Sequence, residues 1–152
     1  MLNWMRKRLD KDEGFTLIEL MVVVLIIAIL IAIAIPSFLG FRRNAQDRSA
    51  QSDVRNVLLA EQAYYTEWEA YSTTEADLQT IEPSIRLETA IADGVVASTG
   101  TDSVCLTRQS ESGNDFSVFM GETSGILYGK TDLSTCPADT AAPTTHSPDG
   151  WQ

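Results

Sequence analysis

Glu19 is a carboxylate inside a long apolar stretch, where a negative charge is unfavourable and needs an explanation. Residues 15–35 form a run of 21 residues in which only Thr16 and Glu19 are polar. An ionised carboxylate at bilayer depth costs on the order of 2.5–3.5 kcal/mol. We therefore expect Glu19 to have a functional role and a positively charged partner.

The two cysteines, Cys105 and Cys136, both lie outside the apolar run. In a chain that enters a membrane, such a pair is typical of one disulfide formed outside the cytoplasm. The alternative is two unrelated buried thiols. A bridge between them would stabilise the fold by roughly 3–4 kcal/mol, because it closes a loop in the unfolded chain.

The other polar residues suggest no catalytic chemistry. The only histidine, His146, is predicted to lie in a flexible tail, and no second metal ligand has a suggestive spacing. Asp132, Asp139 and Asp149 are interpreted as solvated surface residues rather than a calcium site. No glycine-rich phosphate loop follows a predicted strand. We therefore predict a protein that is not an enzyme and has no metal or cofactor site.

Charge is distributed unevenly along the chain, which has a net charge of -10. Residues 1–14 carry four of the eleven basic residues, and the remainder carries seven basic and eighteen acidic residues. A diffusely acidic surface argues against nucleic-acid binding, which needs clustered lysine and arginine. We expect a solvated exterior and no nucleic-acid partner.

The apolar run has the length of a transmembrane helix. A helix of 21 residues is about 31 Å long, close to the roughly 30 Å of a bilayer core. Basic residues precede it, so the N-terminus is predicted to stay in the cytoplasm and the C-terminal domain to be exported. A secretory signal peptide has a shorter apolar core and a small-residue cleavage site. A plain signal anchor fits the length but does not explain Glu19.

The sequence Gly14-Phe15-Thr16-Leu17-Ile18-Glu19 resembles the processing motif of type IV prepilins and type II secretion pseudopilins. The resemblance implies that a prepilin peptidase cuts between Gly14 and Phe15 and removes the leader, residues 1–14. It also implies that Phe15 becomes the N-methylated terminus and that Glu19 assists filament assembly. The chemistry is then done to the chain, by a peptidase and a methyltransferase.

Cleavage would create an ammonium group at Phe15 beside an apolar phase, and Glu19 of a neighbouring subunit could neutralise it. Each charge would then offset the desolvation of the other. Pairing within one chain, across one helical turn, is also geometrically possible. Either pairing could fix the axial offset between neighbouring helices, which apolar packing alone cannot do.

Pro36 ends the aliphatic stretch and resembles the helix-breaking proline of type IV pilins, which implies a kink there. Residues 37–68 contain no other proline and favour helix, so the helix is predicted to continue. Leu59 is predicted to face away from the domain, and Glu61 to need either a partner or a position at the edge of the packed stripe. A stripe with 3.6-residue periodicity should pack on a globular domain; it comprises Ala50, Val54, Val57, Leu58, Tyr64, Tyr65 and Trp68.

The rest of the chain predicts an antiparallel sheet, because short strand-like runs follow one another without helices between them. The predicted strands are residues 85–91, 95–98, 104–109, 116–120 and 126–128. Residues 137–152 contain three prolines and are predicted to form an extended or loosely ordered tail.

The predicted fold class is α+β: a long N-terminal helix, half hydrophobic and half amphipathic, packed on a small antiparallel sheet. The predicted divisions are the leader (1–14), the transmembrane and assembly helix (15–36), the globular domain (37–136) and the tail (137–152). The stretch from Tyr64 to Ser84 resembles the helix-to-loop region of type IVa-like pilins.

The resemblance implies a structural subunit of a type IV pilus that forms a homopolymer with identical subunits. Membrane lipid and the inner-membrane assembly machinery would be its partners before assembly, and the assembled pilus would be extracellular. One alternative is a pseudopilin of a type II secretion system, whose major forms usually have a calcium-binding loop and no disulfide. The other alternative is a signal-anchored surface domain that never polymerises.

Overall fold

The computed structural model describes residues 15–133 and 135–151. The predicted leader, including Gly14, lies outside the described residues. The chain divides into two compact units, with the boundary after Phe41. The first unit contains the apolar part of the long helix, and the second contains the remaining helix, the sheet and the C-terminal segment.

The observed architecture is α+β, as predicted. Helix α1 is followed by a single helical turn, α2, and by four strands in the order β1-β2-β3-β4, each antiparallel to the next. A short 3₁₀ helix, Asp139–Ala141, follows the sheet. The elements are α1 (Leu17–Trp68), α2 (Glu75–Leu78), β1 (Val96–Gly100), β2 (Ser103–Gln109), β3 (Asp115–Gly121) and β4 (Gly125–Gly129).

Helix α1 continues through Pro36, which confirms that the proline does not end it. A proline removes one backbone hydrogen bond and crowds the preceding turn. Residues 41–68 contain no further glycine or proline and many helix formers, which favours continuation of the helix beyond that local cost. The kink at Pro36 stays a prediction.

The amphipathic half of α1 forms one wall of the core. Ala50, Val54, Val57 and Leu58 are buried, as the stripe predicted. Val54, Val57 and Leu58 belong to a cluster that includes Val104, Leu106, Val118 and Met120 of the sheet. Leu59 is 63% exposed, as expected for the opposite face of the helix.

The stripe prediction was wrong for Trp68, which is 58% exposed. The chain leaves the helix at Glu69, and Tyr71 of the following loop packs against the core. Tyr71 also stacks on Tyr65, with ring centroids 4.6 Å apart. Trp68 stacks instead on Tyr64, at 6.1 Å. Periodicity could not show that a loop residue takes the core position beside the last helical turn.

The predicted strand over residues 85–91 is not formed. Its backbone N–H groups make individual hydrogen bonds rather than the regular series that pairs two strands. Leu87 N–H donates to the Glu75 carboxylate at 3.1 Å, and Glu88 N–H donates to the Val95 carbonyl at 2.8 Å. Because a side chain supplies one of these acceptors, the segment runs as an ordered loop. The other four predicted strands correspond to β1–β4.

The C-terminal segment covers the sheet face that points away from α1, so the expectation of a loosely ordered tail was wrong. His146 is buried and its Nε2 lies 2.8 Å from the Ser117 hydroxyl. Asp139 is also buried, not solvated as expected, and its carboxylate accepts the backbone N–H groups of Thr123 and Ser124 at 2.6 and 3.0 Å. Apart from the short 3₁₀ helix, the segment forms neither helix nor strand, and these polar contacts fix it to the sheet.

Two glycines allow this close approach. A Cβ atom at Gly121 would overlap the Asp139 carboxylate, and one at Gly129 would overlap the His146 ring. Gly121 ends β3 and Gly129 ends β4, and both lie on the sheet face that the C-terminal segment covers. Side chains at these positions would therefore force the segment off the sheet.

Cys105 and Cys136 form the predicted disulfide, with their Cα atoms 5.3 Å apart. Cys105 lies in β2 on the same face as Ser103, whose hydroxyl donates to the Pro137 carbonyl at 2.6 Å. The bridge thus attaches the start of the C-terminal segment to the centre of the sheet.

Removing the bridge by the double substitution Cys105→Ala/Cys136→Ala should lower the free energy of unfolding by about 3–4 kcal/mol, because the sequence separation is 31 residues. Guanidinium denaturation of the full chain in detergent micelles measures this loss. Reduced wild-type protein is the control that separates loop closure from lost packing at Cys105. Equal unfolding midpoints for the oxidised and reduced proteins would contradict the prediction.

Candidate functional site

The apolar helix begins with a capping box built from Thr16 and Glu19. Thr16 precedes the first helical residue, Leu17, and its hydroxyl accepts the Glu19 N–H at 3.3 Å. In return, the Glu19 carboxylate accepts the Thr16 N–H at 2.9 Å and the Thr16 hydroxyl at 2.7 Å. These reciprocal bonds satisfy backbone donors that the helix start would otherwise leave unpaired.

All of these bonds to the Glu19 carboxylate use the oxygen Oε2. Among the residues that the structure describes, none donates to Oε1. The capping box therefore fixes the carboxylate at the first turn and leaves one oxygen for a further donor. The negative charge also lies at the positive end of the helix dipole, where it is stabilising.

Sequence reasoning assigned Glu19 a role but missed the capping box. The signal was present, because a threonine followed three residues later by glutamate and then by an apolar run is the sequence pattern of this cap.

The surface around Glu19 is apolar and open. Phe15 is 83% exposed, and Phe15, Ile18, Val22 and Val23 border Glu19 in a shallow groove of about 380 Å³. The apolar side chains that follow, from Leu17 to Phe41, are all exposed. An apolar surface of this size needs a bilayer or other apolar helices to cover it.

Helix α1 is long and apolar enough near its N-terminus to cross a membrane, and none of that apolar window is buried. Pro36 lies in the same unit as Phe15 and Glu19, one residue after the aliphatic run. Cys105 and Cys136 lie in the other unit, so the disulfide belongs to the globular fold. The roles of Gly14, Phe15, Glu19 and Pro36 stay predictions.

Among the described residues, no other group of side chains is arranged for chemistry as clearly as Thr16 and Glu19. Residues 15–133 and 135–151 contain no group of three or more His, Cys, Asp or Glu side chains placed to hold a metal ion. The histidine is buried against Ser117, and Asp139 caps a turn, so both have structural partners. The start of the apolar helix is therefore the candidate functional site.

Comparison with known proteins points to the same region. Residues 9–35 match a family described as the prokaryotic N-terminal methylation motif. The type IV major pilin protein PilA of Myxococcus xanthus is 42% identical over 62 residues, which are 41% of this chain and 28% of that protein. The type II secretion system core protein G of Escherichia coli is 35% identical over 72 residues, 47% of this chain and 50% of that protein.

A longer match joins the chain to the type IV wide pilus major component PilA4 of Thermus thermophilus. The two are 31% identical over 94 residues, which are 62% of this chain and 70% of that protein. The matches to the Myxococcus and Escherichia proteins span half of those relatives or less.

An exposed apolar helix with a capped carboxylate at its start, followed by an amphipathic half packed on an antiparallel meander, defines a pilin-like fold. The methylation motif and the PilA4 match agree with that class. The chain belongs to the type IV pilin and pseudopilin superfamily.

The capping box predicts that Thr16→Val frays the first turn of the helix. Valine has nearly the shape of threonine but has no hydroxyl, so Glu19 loses both a donor and an acceptor. Loss of such a cap costs about 1 kcal/mol, or roughly fivefold faster hydrogen exchange of the Glu19 and Leu20 amides. NMR exchange of the full chain in detergent micelles measures it.

Thr16→Ser is the matched control, because it keeps the hydroxyl and should keep slow exchange. If Thr16→Val and wild type exchange at the same rate, the hydroxyl does not cap the helix.

Proposed function

We propose that the chain is a structural subunit of a type IV pilus and acts without catalysis of its own. A prepilin peptidase cuts between Gly14 and Phe15, Phe15 is N-methylated, and the subunit polymerises with identical copies through its apolar helix. The observation that carries the proposal is the capped Glu19 at the start of a helix whose apolar surface the fold leaves uncovered.

The new amine at Phe15 explains why Glu19 is needed. The ammonium group would lie one residue before the N-cap, where the positive end of the helix dipole is unfavourable for a cation. It would also lie beside the apolar groove that borders Glu19. The free oxygen of the capped carboxylate is a suitable acceptor, and it is held in place before any partner arrives.

Pairing between subunits rather than within one fits the energetics of polymerisation. Two charges that leave water together need mutual pairing with good geometry, or the cost of desolvation exceeds their attraction. An ammonium group on one helix and a fixed carboxylate on the next meet at only one axial offset. We infer that this pair sets the register of neighbouring helices, while apolar packing supplies the affinity.

Before assembly the subunit would be stored in the cytoplasmic membrane, with its N-terminus cytoplasmic and its globular domain exported. Arg42, Arg43 and Arg48 directly follow the apolar run and are exposed. Within the described part of the chain they form no ion pair. We propose that they contact lipid headgroups in storage and acidic groups of neighbouring subunits after assembly, when the inner-membrane machinery has extracted the helix.

The disulfide favours a pilus over the alternative of a type II secretion pseudopilin. Major pseudopilins usually lack a disulfide, whereas Cys105–Cys136 links the C-terminal segment to the sheet here. The relatives include both classes, so the shared N-terminal segment does not separate them. A signal-anchored domain that never polymerises is the remaining alternative, and Glu19 disfavours it because an anchor needs no charge.

The proposal predicts that Glu19→Gln abolishes filaments. Glutamine keeps the size and the capping acceptor but leaves the Phe15 ammonium without a counter-charge. Breaking a buried pair costs about 3–5 kcal/mol, so subunit association should weaken by about a hundredfold or more. The measurement is the yield of sheared surface filaments by immunoblot, with mass spectrometry of their N-terminus to detect methylated Phe15.

Glu67→Gln is the control, because Glu67 is an exposed carboxylate on the same helix. It should leave the filament yield unchanged. Normal filaments from Glu19→Gln would refute the role of the charge pair. Surface protein that retains residues 1–14 would favour the signal anchor instead.

A further inference from the structure

Glu61 is a carboxylate in the core of the globular unit, between α1 and the segment that follows it. It is 0% exposed. Its Oε2 accepts the Ser72 N–H at 3.3 Å, and among the residues that the structure describes Oε1 has no hydrogen-bond partner. A fully buried carboxylate with one amide bond is poorly compensated if it is ionised, because each buried oxygen lacks the water it would otherwise bind.

The segment opposite Glu61 cannot supply a better donor. The Ser72 hydroxyl donates to the Asp77 carboxylate at 2.8 Å and accepts the Thr74 N–H at 3.0 Å. Its proton is therefore committed to Asp77. Ser72 thus lies between two carboxylates: its backbone N–H donates to Glu61 and its hydroxyl donates to Asp77.

The titratable groups that face Glu61 within the described chain include no cation, and the nearest charge, that of Asp77, disfavours a second negative charge. Tyr64 lies on the same helix, Tyr71 on the following loop and Asp77 in α2. The sheet contributes apolar side chains to the same core, among them Val104. Burial raises the pKa of Glu61 to about 7, against the opposing effect of the Ser72 amide, and the charge of Asp77 raises it further.

We propose that Glu61 is a proton-operated latch between α1 and residues 71–78. With a proton, the carboxyl group is neutral and compatible with the core, and residues 71–78 stay packed on the helix. Without it, a charge is buried close to the Asp77 carboxylate with a single amide donor. Release of residues 71–78 then brings the charge into water, so deprotonation opens the latch.

The sign of the pH dependence follows from proton linkage. In the closed state the pKa of Glu61 is raised to about 7, whereas its ordinary value is 4.5. Between these values the closed state holds a proton that the open state releases. Closure is therefore strongest below about pH 4.5, weakens by up to about tenfold per pH unit as the pH rises, and is constant above about pH 7.

Hydrogen exchange of the full chain in detergent micelles, followed by mass spectrometry from pH 5 to pH 8, tests the latch. After correction for the intrinsic pH dependence of exchange, amides of residues 72–78 in wild type should lose at least about tenfold in protection between pH 5 and pH 7. They should change little between pH 7 and pH 8. Amides of β2 and β3 report on global unfolding and separate it from local release.

Glu61→Gln should abolish this dependence and keep residues 72–78 protected at pH 8, because glutamine is neutral at every pH. Glu67→Gln, an exposed site on the same helix, should behave as wild type. Wild-type protection that does not change with pH would overturn the proposal. It would also be overturned if millimolar calcium removed the pH dependence, because Glu61 and Asp77 would then bind a cation rather than a proton.

If Glu61→Gln does not fold, the titration of the wild-type carboxyl group still decides the question. NMR of the Glu61 carboxyl carbon should give a midpoint more than one pH unit above 4.5, the ordinary value of a glutamate. A midpoint at that ordinary value would refute the latch.

Discussion

The uncovered apolar surface of α1 is the constraint on which the rest of this molecule depends. The exposed apolar side chains from Leu17 to Phe41 have no partner in the described fold. Such a surface is stable only in lipid or against other helices of the same kind, and both environments exclude water. Any polar group within it must then be satisfied by the chain itself or by an arriving partner. Thr16 and Glu19 satisfy each other, and one carboxylate oxygen of Glu19 has no donor among the described residues.

The globular unit meets a different demand, because its sheet is buried on both faces. The amphipathic half of α1 covers one face, and the C-terminal segment covers the other through Cys136, Asp139 and His146. In β2 and β3, buried residues therefore follow one another almost without interruption and do not alternate with exposed residues. A small domain in which a polar, proline-containing segment replaces a second helical layer depends on specific bonds, and the disulfide is the strongest of them.

Much of this fold could be predicted from the sequence, for physical reasons that differ between elements. The apolar run and the stripe through Val54 and Leu58 follow from periodicity alone, because burial of a helix face needs nothing else. The disulfide followed from having only two cysteines in a chain with an apolar anchor. The order of β1 to β4 followed from short turns, which leave an antiparallel meander as the simplest arrangement.

What the sequence did not reveal depends on contacts between distant residues. Residues 85–91 have the composition of a strand, but the carboxylate of Glu75 takes one of their backbone donors. His146 and Asp139 were assigned to a solvated tail because their partners, Ser117 and the turn after Gly121, lie far away in the sequence. For the candidate site, the position of Glu19 was predictable. Its bond to Thr16 also has a local sequence signal, a threonine followed three residues later by glutamate.

Two of the buried titratable groups of the globular unit, Glu61 and His146, affect stability in opposite directions. Burial lowers the pKa of His146 and raises that of Glu61, because it disfavours the charged form of each. As the pH falls below about 6.5, the unfolded chain takes a proton at His146 that the folded chain resists, and stability decreases. Over the same range the folded chain takes a proton at Glu61, and stability increases. The two groups therefore make opposing contributions to the pH dependence of stability. As the pH falls, the segments that contact Glu61 and His146 are expected to change in stability in opposite directions.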